Sequence, residues 1–302
     1  MNSRRSIVVL GSATGDLIVR QPRLPTAGET MFGVSFTTVS GGKGLNQAVA
    51  AARAGGRVGF LGAVGDDEHG DRARAVLDEA GVDTAGLVRV DAPTGTAHIS
   101  VLDGGDNAIV IVPAANSAVT ALDDTARGIV RPAGFLLAQF ERPMPLIAEA
   151  FRFARAAGVR TVLTPAPVAE IPADLLANTD ILVPNAGEAC ELAAEDDPVA
   201  AACALSRRVG MVVMTRGEQG AIVARDGEVM TSVAAHPVTP VDTTGAGDTF
   251  VGVLVAWLAD GAELGAALAA ASAAAAICVT RPGASPSIPT RDEILARLLD
   301  PA

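Results

Sequence analysis

A glycine-rich turn at residues 241–250, with the sequence VDTTGAGDTF, has the residue types of an anion-binding helix start. Gly245 and Gly247 leave the backbone free to turn its amides toward one point, where the positive end of the following helix also favours negative charge. A phosphate, or the charge that develops during its transfer, would fit there. Asp248 stands at the rim, where its carboxylate can accept a proton from an attacking hydroxyl. The alternative is that Asp248 only caps a helix after a glycine turn.

A second glycine turn, SGGKGLNQ at residues 40–47, precedes an alanine-rich stretch. It is not a Walker A loop, because Lys43 is followed by glycine and Thr37 stands where the first glycine would fall. A dinucleotide fingerprint is also disfavoured, because the chain's other GxG has Phe250 where a third glycine is required. The loop remains a candidate for binding a polyhydroxylated ligand through its amides and the side chain of Asn46.

Short apolar runs alternate with helical patterns along the chain, and these elements must position both turns. Nearly continuous apolar strands are typical of a parallel sheet that is covered on both faces. The pattern therefore predicts a doubly wound α/β sheet. The predicted strands are 7–11, 58–64, 135–140, 161–164, 181–183 and 211–215, and the predicted helices are 46–54, 67–80, 146–157, 198–209 and 248–258.

Two regions, 18–39 and 96–112, break this alternation and predict antiparallel strands outside the main sheet. The second region has a hairpin turn signal at Gly104-Gly105-Asp106-Asn107. We expect the two regions to form one small β lid; the alternative is two ordinary surface hairpins. Because the chain has no repeat and no linker-like composition, we expect a single domain over 1–302, with lid strands from about 15–40 and 95–113.

The 302 residues carry 23 Lys and Arg against 34 Asp and Glu, a formal net charge of −11. This charge argues against a nucleic-acid partner and against binding to an anionic membrane, both of which need a basic surface. Cys190, Cys203 and Cys278 form no paired motif, and their odd number favours reduced thiols in a cytoplasmic protein. The apolar run at 7–10 is too short for a secretory signal, and the stretch at 264–280 predicts a buried helix rather than a membrane span.

The two glycine motifs together resemble those of the PfkB family of carbohydrate kinases, and within it the ribokinase group. The resemblance covers nearly all of the chain. It implies a three-layer α/β/α sandwich with a mostly parallel central sheet and a small β-sheet lid, ATP-dependent phosphorylation of a sugar, and homodimers that pair through their lids. Further matching segments are Gly11-Ser12 with Asp16, Pro25-x-x-Gly28-Glu29-Thr30, Gly65-Asp66-Asp67, Pro165-Ala166-Pro167, Pro184-Asn185-x-x-Glu188 and Thr280-Arg281-x-Gly283-Ala284-x-Pro286-Ser287.

The resemblance also implies roles for individual residues. Asp248 matches the catalytic base, and the amides of Gly245, Ala246 and Gly247 match the anion hole. A strong alternative for Glu141 is a solvated residue at the start of a loop, although Gln139-Phe140-Glu141 matches the ribokinase pattern. The positions that match sugar-binding residues are Asp16, Gly42, Lys43, Asn46 and Glu141.

The nucleotide and metal positions follow from the same resemblance. Glu188 matches the residue that organises Mg²⁺ through water, and Ser272 stands where ribokinases often carry a histidine beside the adenine. The remaining nucleotide positions are Asn185, Thr215, Arg216, Gly217, Gly220 and Gly247. A site for a monovalent cation, K⁺, is implied at Asp242, Thr244, Cys278, Arg281, Gly283 and Ser287, although Asp242 could instead cap the next turn.

One position departs from the pattern: ribokinases usually read Asn-x-Asp where this chain has Thr14-Gly15-Asp16. We therefore expect Thr14 to read one sugar hydroxyl less tightly than asparagine would. The implied reaction is the ATP-dependent conversion of D-ribose to D-ribose 5-phosphate. Two alternatives remain: a kinase of the same family for 2-deoxyribose, a ketose or a nucleoside, and a non-catalytic sugar- or nucleotide-binding protein, against which the intact motif at 245–248 argues.

Overall fold

The computed structural model describes residues 6–104 and 107–299, and these form thirteen strands and eleven α-helices. The strands are β1 (Ile7–Leu10), β2 (Thr14–Gln21), β3 (Ser35–Gly41), β4 (Val58–Val64), β5 (Asp83–Arg89), β6 (Gly95–Leu102), β7 (Asn107–Val112), β8 (Phe135–Gln139), β9 (Arg160–Thr164), β10 (Ile181–Leu182), β11 (Met211–Thr215), β12 (Ala221–Arg225) and β13 (Glu228–Val233). The helices are α1 (Lys43–Arg53), α2 (Glu68–Glu79), α3 (Ala115–Ala118), α4 (Asp124–Val130), α5 (Met144–Ala156), α6 (Ala173–Ala177), α7 (Ala186–Ala193), α8 (Pro198–Ser206), α9 (Ala246–Ala259), α10 (Leu264–Val279) and α11 (Arg291–Leu299).

The larger sheet has the strand order β13-β12-β11-β10-β9-β8-β1-β4-β5. The pairs from β11 to β5 are parallel, whereas β12 pairs antiparallel with both β11 and β13. All six strands predicted from apolar runs belong to this sheet, and the five predicted helices are present with ends within three residues of those predicted. The two edge strands β5 and β13, and β12 beside β13, are additions to the prediction.

Helices cover both faces of the larger sheet, because successive residues of a strand point to opposite sides. Ile7 and Val9 of β1 pack with α1, α9 and α10, whereas Val8 and Leu10 pack with α5 and α8 on the other face. The predicted three-layer sandwich around a mostly parallel sheet is confirmed. Helix α10 is largely buried in the first of these layers, as predicted. No helix among the described residues has the length and apolarity needed to cross a bilayer.

The smaller sheet has the order β3-β2-β6-β7. Strands β2 and β3 pair antiparallel, as do β6 and β7, but β2 and β6 join the two pairs in parallel along the whole of Thr14–Gln21. The prediction of one small sheet is confirmed and the alternative of two separate hairpins is wrong, although the junction is parallel rather than antiparallel. Gly105 and Asp106 of the predicted turn lie outside the described residues.

Candidate active site

The glycine turn before α9 places Asp248 in the first turn of that helix. Gly245 precedes the helix with a φ of 78°, a left-handed conformation that favours glycine, and a Cβ atom on Gly247 would meet no atom within 4 Å. The amide of Ala246 donates to the carbonyl of Thr243 over a long contact of 3.3 Å. Among the described residues no side chain caps the start of α9. Asp248 therefore does not act as a helix cap, which was the alternative to a catalytic role.

Both carboxylate oxygens of Asp248 accept hydrogen bonds from amides of α1. Nδ2 of Asn46 donates to Oδ2 at 3.1 Å, and Nε2 of Gln47 donates to Oδ1 at 3.0 Å. Burial raises the pKa of Asp248, while the charge of Lys43 and the two hydrogen bonds act in the opposite direction. A buried carboxylate with an elevated pKa, held in one orientation, has the properties of a general base.

The second glycine turn allows α1 to begin close to the end of β1. Gly42 has a φ of 97°, and a Cβ atom on Gly44 would lie 2.3 Å from Cα of Gly11. Only glycine fits at both positions without moving the backbone. This close approach carries Asn46 to Asp248, and the hydroxyl of Ser285 donates to Oδ1 of Asn46 at 2.8 Å, which fixes the orientation of that amide.

Glu141 lies beside the start of α1 rather than in solvent. Its carboxylate accepts hydrogen bonds from the hydroxyl of Ser12 and, at 2.9 Å, from the amide of Lys43. Burial raises the pKa of Glu141, against the effects of the Ser12 hydrogen bond and the Lys43 charge. The charge of Asp248 is the main cause that raises the pKa of Lys43, with further contributions from Glu141 and Glu188 that oppose burial. The structure thus brings three carboxylates and one ammonium group together.

Asp16 adds a fourth carboxylate, near the start of β2 in the smaller sheet. A Cβ atom on Gly41 would lie 2.0 Å from Oδ2 of Asp16, so the carboxylate occupies space that only glycine leaves. Burial raises the pKa of Asp16 to about 6; the hydrogen bond from Thr14 lowers it, and the charges of Glu141 and Asp248 raise it further. The hydroxyl of Thr14 donates to Oδ1 of Asp16 at 2.7 Å, so its proton is engaged by a protein carboxylate.

A cleft of about 800 Å³ opens beside the start of α9. Much of its wall is apolar, including Pro237, Val238 and Phe250, which suits a planar base. The hydroxyl of Ser272 lines the cleft and donates to the carbonyl of Ala234 at 2.9 Å. Of the positions predicted to bind the nucleotide, Thr215, Gly217, Gly220, Gly247 and Ser272 line this cleft.

Arg216, Asn185 and Glu188 lie outside that lining. The guanidinium of Arg216 donates to the carbonyl of Gln219 at 3.2 Å, whereas Asn185 forms a parallel bridge to Thr215 and so adjoins the cleft. Asn185 and Glu188 form a capping box at the start of α7: Oδ1 of Asn185 accepts from the amide of Glu188 at 2.9 Å, and Oε2 of Glu188 accepts from the amide of Asn185 at 2.8 Å. Burial raises the pKa of Glu188, against the effects of this hydrogen bond and of the charge of Lys43.

The predicted cation residues surround the loop before α9. Asp242 accepts hydrogen bonds from the amides of Thr244 and Gly283, each at 2.9 Å, so it joins this loop to the one after α10. The bond from Thr244 is a local turn contact, as expected if Asp242 caps the next turn. Burial acts to raise the pKa of Asp242, but the hydrogen bonds outweigh it and the net shift is downward.

The other positions of this predicted set differ in where their side chains lie. The thiol of Cys278 is buried 3.0 Å from the hydroxyl of Ser287, whereas the guanidinium of Arg281 pairs with Glu293 of α11. The side chain of Arg281 is therefore engaged by a carboxylate and is itself a cation, which leaves only its backbone to bind K⁺.

Several residues of the site had no predicted role. Ser12 donates to Glu141, Gln47 donates to Asp248, Gly41 makes room for Asp16, and Ser285 donates to Asn46. All four stand inside the matching motifs, so their position in the sequence was the available signal. The contact between Ser285 and Asn46 was not itself predictable, because it spans 239 positions of sequence.

Comparison with known proteins gives consistent similarities. The profile described as "pfkB family carbohydrate kinase" matches residues 4–291. The ribokinase of Bacillus subtilis is 39% identical over 293 residues, which cover 96% of this chain and 98% of that protein. The structure of Arabidopsis thaliana ribokinase complexed with ribose and ATP has a TM-score of 0.92 and 34% identity, covering 97% of this chain and 98% of that one. The ribokinase of Cryptococcus neoformans in complex with ADP has a TM-score of 0.84 and 31% identity, with 97% and 99% covered.

Proposed function

The chain belongs to the PfkB family of carbohydrate kinases, and we propose that it is a ribokinase that transfers the terminal phosphoryl group of ATP to the 5-hydroxyl of D-ribose. The observation that carries this proposal is the position of Asp248, buried at an uncapped helix start between a group of carboxylates and the 800 Å³ cleft. The relative that binds ribose and ATP is 34% identical over almost the whole chain, which supports ribose as the sugar.

Asp248 acts as the general base in this proposal. Its carboxylate removes the proton of the sugar hydroxyl as that oxygen attacks phosphorus. The amides of Gly245, Ala246 and Gly247 stabilise the negative charge on the transferring group, because they lie at the positive end of α9. The open space beside Gly247 gives the phosphoryl group access to these amides.

The sugar is held by groups that match the hydroxyls of a pentose. The carboxylates of Asp16 and Glu141 accept hydrogen bonds from hydroxyls, and Asn46 both donates and accepts. The backbone at Gly42 and Lys43, in the glycine turn that begins α1, completes the contact. Thr14 acts on the sugar through Asp16, whose orientation it fixes.

ATP occupies the cleft, with its base against the apolar wall beside Ser272 and its phosphates directed toward Gly247. Thr215, Arg216, Gly217 and Gly220 form the edge of this nucleotide site. Their loop lies between β11 and β12, at the carboxyl end of the parallel strand β11, where ligands of open α/β sheets bind.

Mg²⁺ fits the residues present. The described residues contain no cluster of three His, Cys, Asp or Glu arranged to hold a metal ion. Mg²⁺ does not need one, because it keeps much of its water and is held by one or two carboxylates together with phosphates. Glu188, with Asn185 beside it, is the residue that would hold the hydrated ion. Bound there, Mg²⁺ would neutralise charge on the nucleotide phosphates.

A monovalent cation, K⁺, would lie next to the anion-hole turn. Asp242 supplies the one anionic side chain, and its lowered pKa keeps it ionised. The other five positions would contribute mostly backbone carbonyls. A cation there would stiffen the loop that Asp242 already ties to Gly283. The proposed set is Asp242, Thr244, Cys278, Arg281, Gly283 and Ser287.

The small sheet acts as a lid over the sugar and as a dimer interface. It exposes apolar side chains on β3 and β7: Phe36 is 64% exposed and Val110 is 65% exposed. Exposed apolar side chains on one small sheet are typical of an interaction site, and pairing of two small sheets would cover them. We infer that residues 1–302 form one kinase domain and that the protein, with three free cysteines, is cytoplasmic.

A second substrate within the same family is favoured by Thr14, which stands where ribokinases usually have asparagine. The deciding experiment is a panel of D-ribose, 2-deoxy-D-ribose, a ketose and a nucleoside with ATP and Mg²⁺, read by coupled ADP release. D-ribose should give the highest kcat/KM, and the Asp248→Asn variant is the matched control. A preference for another acceptor would contradict ribose alone, whereas binding without ADP release for every acceptor would contradict a kinase.

A further inference from the structure

Gln47 is a fully buried residue of α1 that has no role in the reaction described so far. Its Nε2 donates to Oδ1 of Asp248 at 3.0 Å and lies 3.3 Å from the hydroxyl of Thr164. Its Oε1 accepts a hydrogen bond from Nε2 of Gln139 at 2.6 Å. A carboxamide that uses both of its ends in this way has one favourable orientation.

Asp248 and Gln139 together determine which way the Gln47 amide points. If the Gln47 amide were turned over, its oxygen would face the carboxylate of Asp248 and its nitrogen would face Nε2 of Gln139. Both contacts would then be repulsive, and both groups are buried where such a mismatch is costly. The bond from Gln139 therefore holds the donor of Gln47 against Asp248.

The two amides that contact Asp248 are not equivalent. Asn46 binds Oδ2 and belongs to the set proposed to hold the sugar, so Oδ2 is the oxygen on the substrate side. Gln47 binds Oδ1 from the protein interior and lies between Asp248 and two further strands, β8 with Gln139 and β9 with Thr164. A hydroxyl that approaches from the sugar side can exchange with Asn46 without disturbing Gln47.

We propose that Gln47, fixed by Gln139, is a positioning residue that holds Oδ1 of Asp248 so that the sugar proton is accepted at Oδ2. The inference rests on the proposed function, in which Asp248 is the base. A donor at Oδ1 stabilises the ionised form of Asp248, so it also extends to lower pH the range in which the base is active. The other charged or titratable groups that act on Asp248, or on which it acts, are Lys43 of α1, Asp16 of β2, Glu141 after β8, Glu188 of α7 and Cys278 of α10.

The test compares Gln47→Met, which keeps the length of the side chain without polar groups, with the wild type. We expect kcat to fall about tenfold to a hundredfold with little change in KM for the sugar, because a misplaced base loses rate rather than binding. The acidic limb of the kcat–pH profile should move up by about one to two pH units, the effect of losing one hydrogen bond to a charged group. Gln139→Met should move it in the same direction by less, since the Gln47 donor remains but its orientation is free.

Thr161→Val is the matched control, because it removes a buried hydroxyl at the other end of β9, where the hydroxyl donates to the carbonyl of Asn178 and accepts from the amide of Asp180. It should lower the melting temperature to a similar extent while leaving the kcat–pH profile unchanged. If Gln47→Met melts lower but keeps the wild-type kcat and acidic limb, Gln47 is only structural and the proposal is overturned. If the wild type turns over no sugar, the proposed function fails instead. The ¹³C-carboxyl titration of Asp248, assigned by its loss in Asp248→Asn, then decides the role of Gln47, since an unchanged titration in Gln47→Met overturns it.

Discussion

Thr14→Val should change the pH at which the enzyme binds its sugar. In the proposed sugar site the carboxylate of Asp16 must be ionised to accept hydrogen bonds from sugar hydroxyls, and burial raises the pKa of Asp16 to about 6. The hydroxyl of Thr14 opposes that rise through its 2.7 Å hydrogen bond to Oδ1. Valine has nearly the same shape and lacks the donor, so the change removes this opposition with little effect on packing.

The size of the shift in the pKa of Asp16 follows from the free energy that the lost hydrogen bond from Thr14 contributes. A hydrogen bond to a charged group contributes about 1.5–3 kcal/mol. At about 1.4 kcal/mol for each pKa unit, the pKa of Asp16 should rise by about one to two units. Because Asp16 is 8% exposed, water cannot replace the lost donor easily. The carboxyl would then be largely protonated at a pH where the wild type is ionised.

The assay is KM for the sugar, measured from pH 5 to 9 by coupled ADP release. In the wild type KM should rise as the pH falls through about 6, the pKa of Asp16 in the folded protein. In Thr14→Val the same rise should begin about one to two units higher, with a smaller change in kcat. Thr14→Ser retains the hydroxyl and should follow the wild type. A Thr14→Val profile that superimposes on the other two would show that Thr14 does not control the ionisation of Asp16.

Four further predictions follow from the site. Asp248→Asn should lower kcat by about 10²–10⁴-fold while calorimetry still detects sugar binding, and a variant that keeps half of the wild-type kcat would refute the base. The rate of phosphoryl transfer should rise with K⁺ and fall when Li⁺ replaces it at equal ionic strength. Equal rates in the two salts would contradict the cation site proposed at Asp242. Asp16→Asn should stabilise the sugar-free protein by up to about 3 kcal/mol at pH 7–8. The folded pKa of Asp16, about 6, lies above its ordinary value of 3.8, so the contribution of Asp16 to stability is fully present below pH 3.8 and is lost as the pH rises through about 6. The difference between the variant and the wild type in urea unfolding should therefore disappear near pH 4. Phe36→Asp should convert a dimer to a monomer in sedimentation velocity, and an unchanged sedimentation coefficient would exclude the small sheet as the interface.

The inner strands of the larger sheet are predictable from sequence because burial on both faces leaves continuous apolar runs. The edge strands lack this signal. β5 (Asp83–Arg89) is largely exposed, and β13 (Glu228–Val233) is exposed along nearly its whole length, so neither needs an apolar run. The turn between β12 and β13 did carry a signal: Asp226 and Gly227 both have positive φ, 53° and 87°, as the Asp-Gly hairpin turn requires. Turn chemistry, rather than hydrophobicity, identifies this edge of the sheet.

The glycine motifs are predictable for a different reason, because each is a contiguous turn whose backbone conformation requires glycine. The groups that orient the site are not contiguous. Gln139 meets Gln47 across 92 positions of sequence, and Thr164 meets it across 117. Nothing local to Gln139 indicates that contact, since its place at the end of β8 is set by the pairing of strands. Chemistry that depends on such contacts becomes visible only when the fold is known.

Thr14 shows where residue-by-residue comparison is weakest. Threonine stands at position 14 where ribokinases usually have asparagine, and this difference alone predicts a weaker contact with one sugar hydroxyl. In the structure the Thr14 hydroxyl instead donates to Asp16, two residues away on the same strand. The short side chain of Thr14 reaches the carboxylate of Asp16 and changes its ionisation. Thr14 would therefore affect sugar binding through the charge of Asp16, whose pKa of about 6 lies near the pH at which enzymes work. The departure from the family pattern therefore bears on the pH dependence of binding before it bears on which hydroxyl is recognised, and the two effects separate in the KM profiles of Thr14→Val and Thr14→Ser.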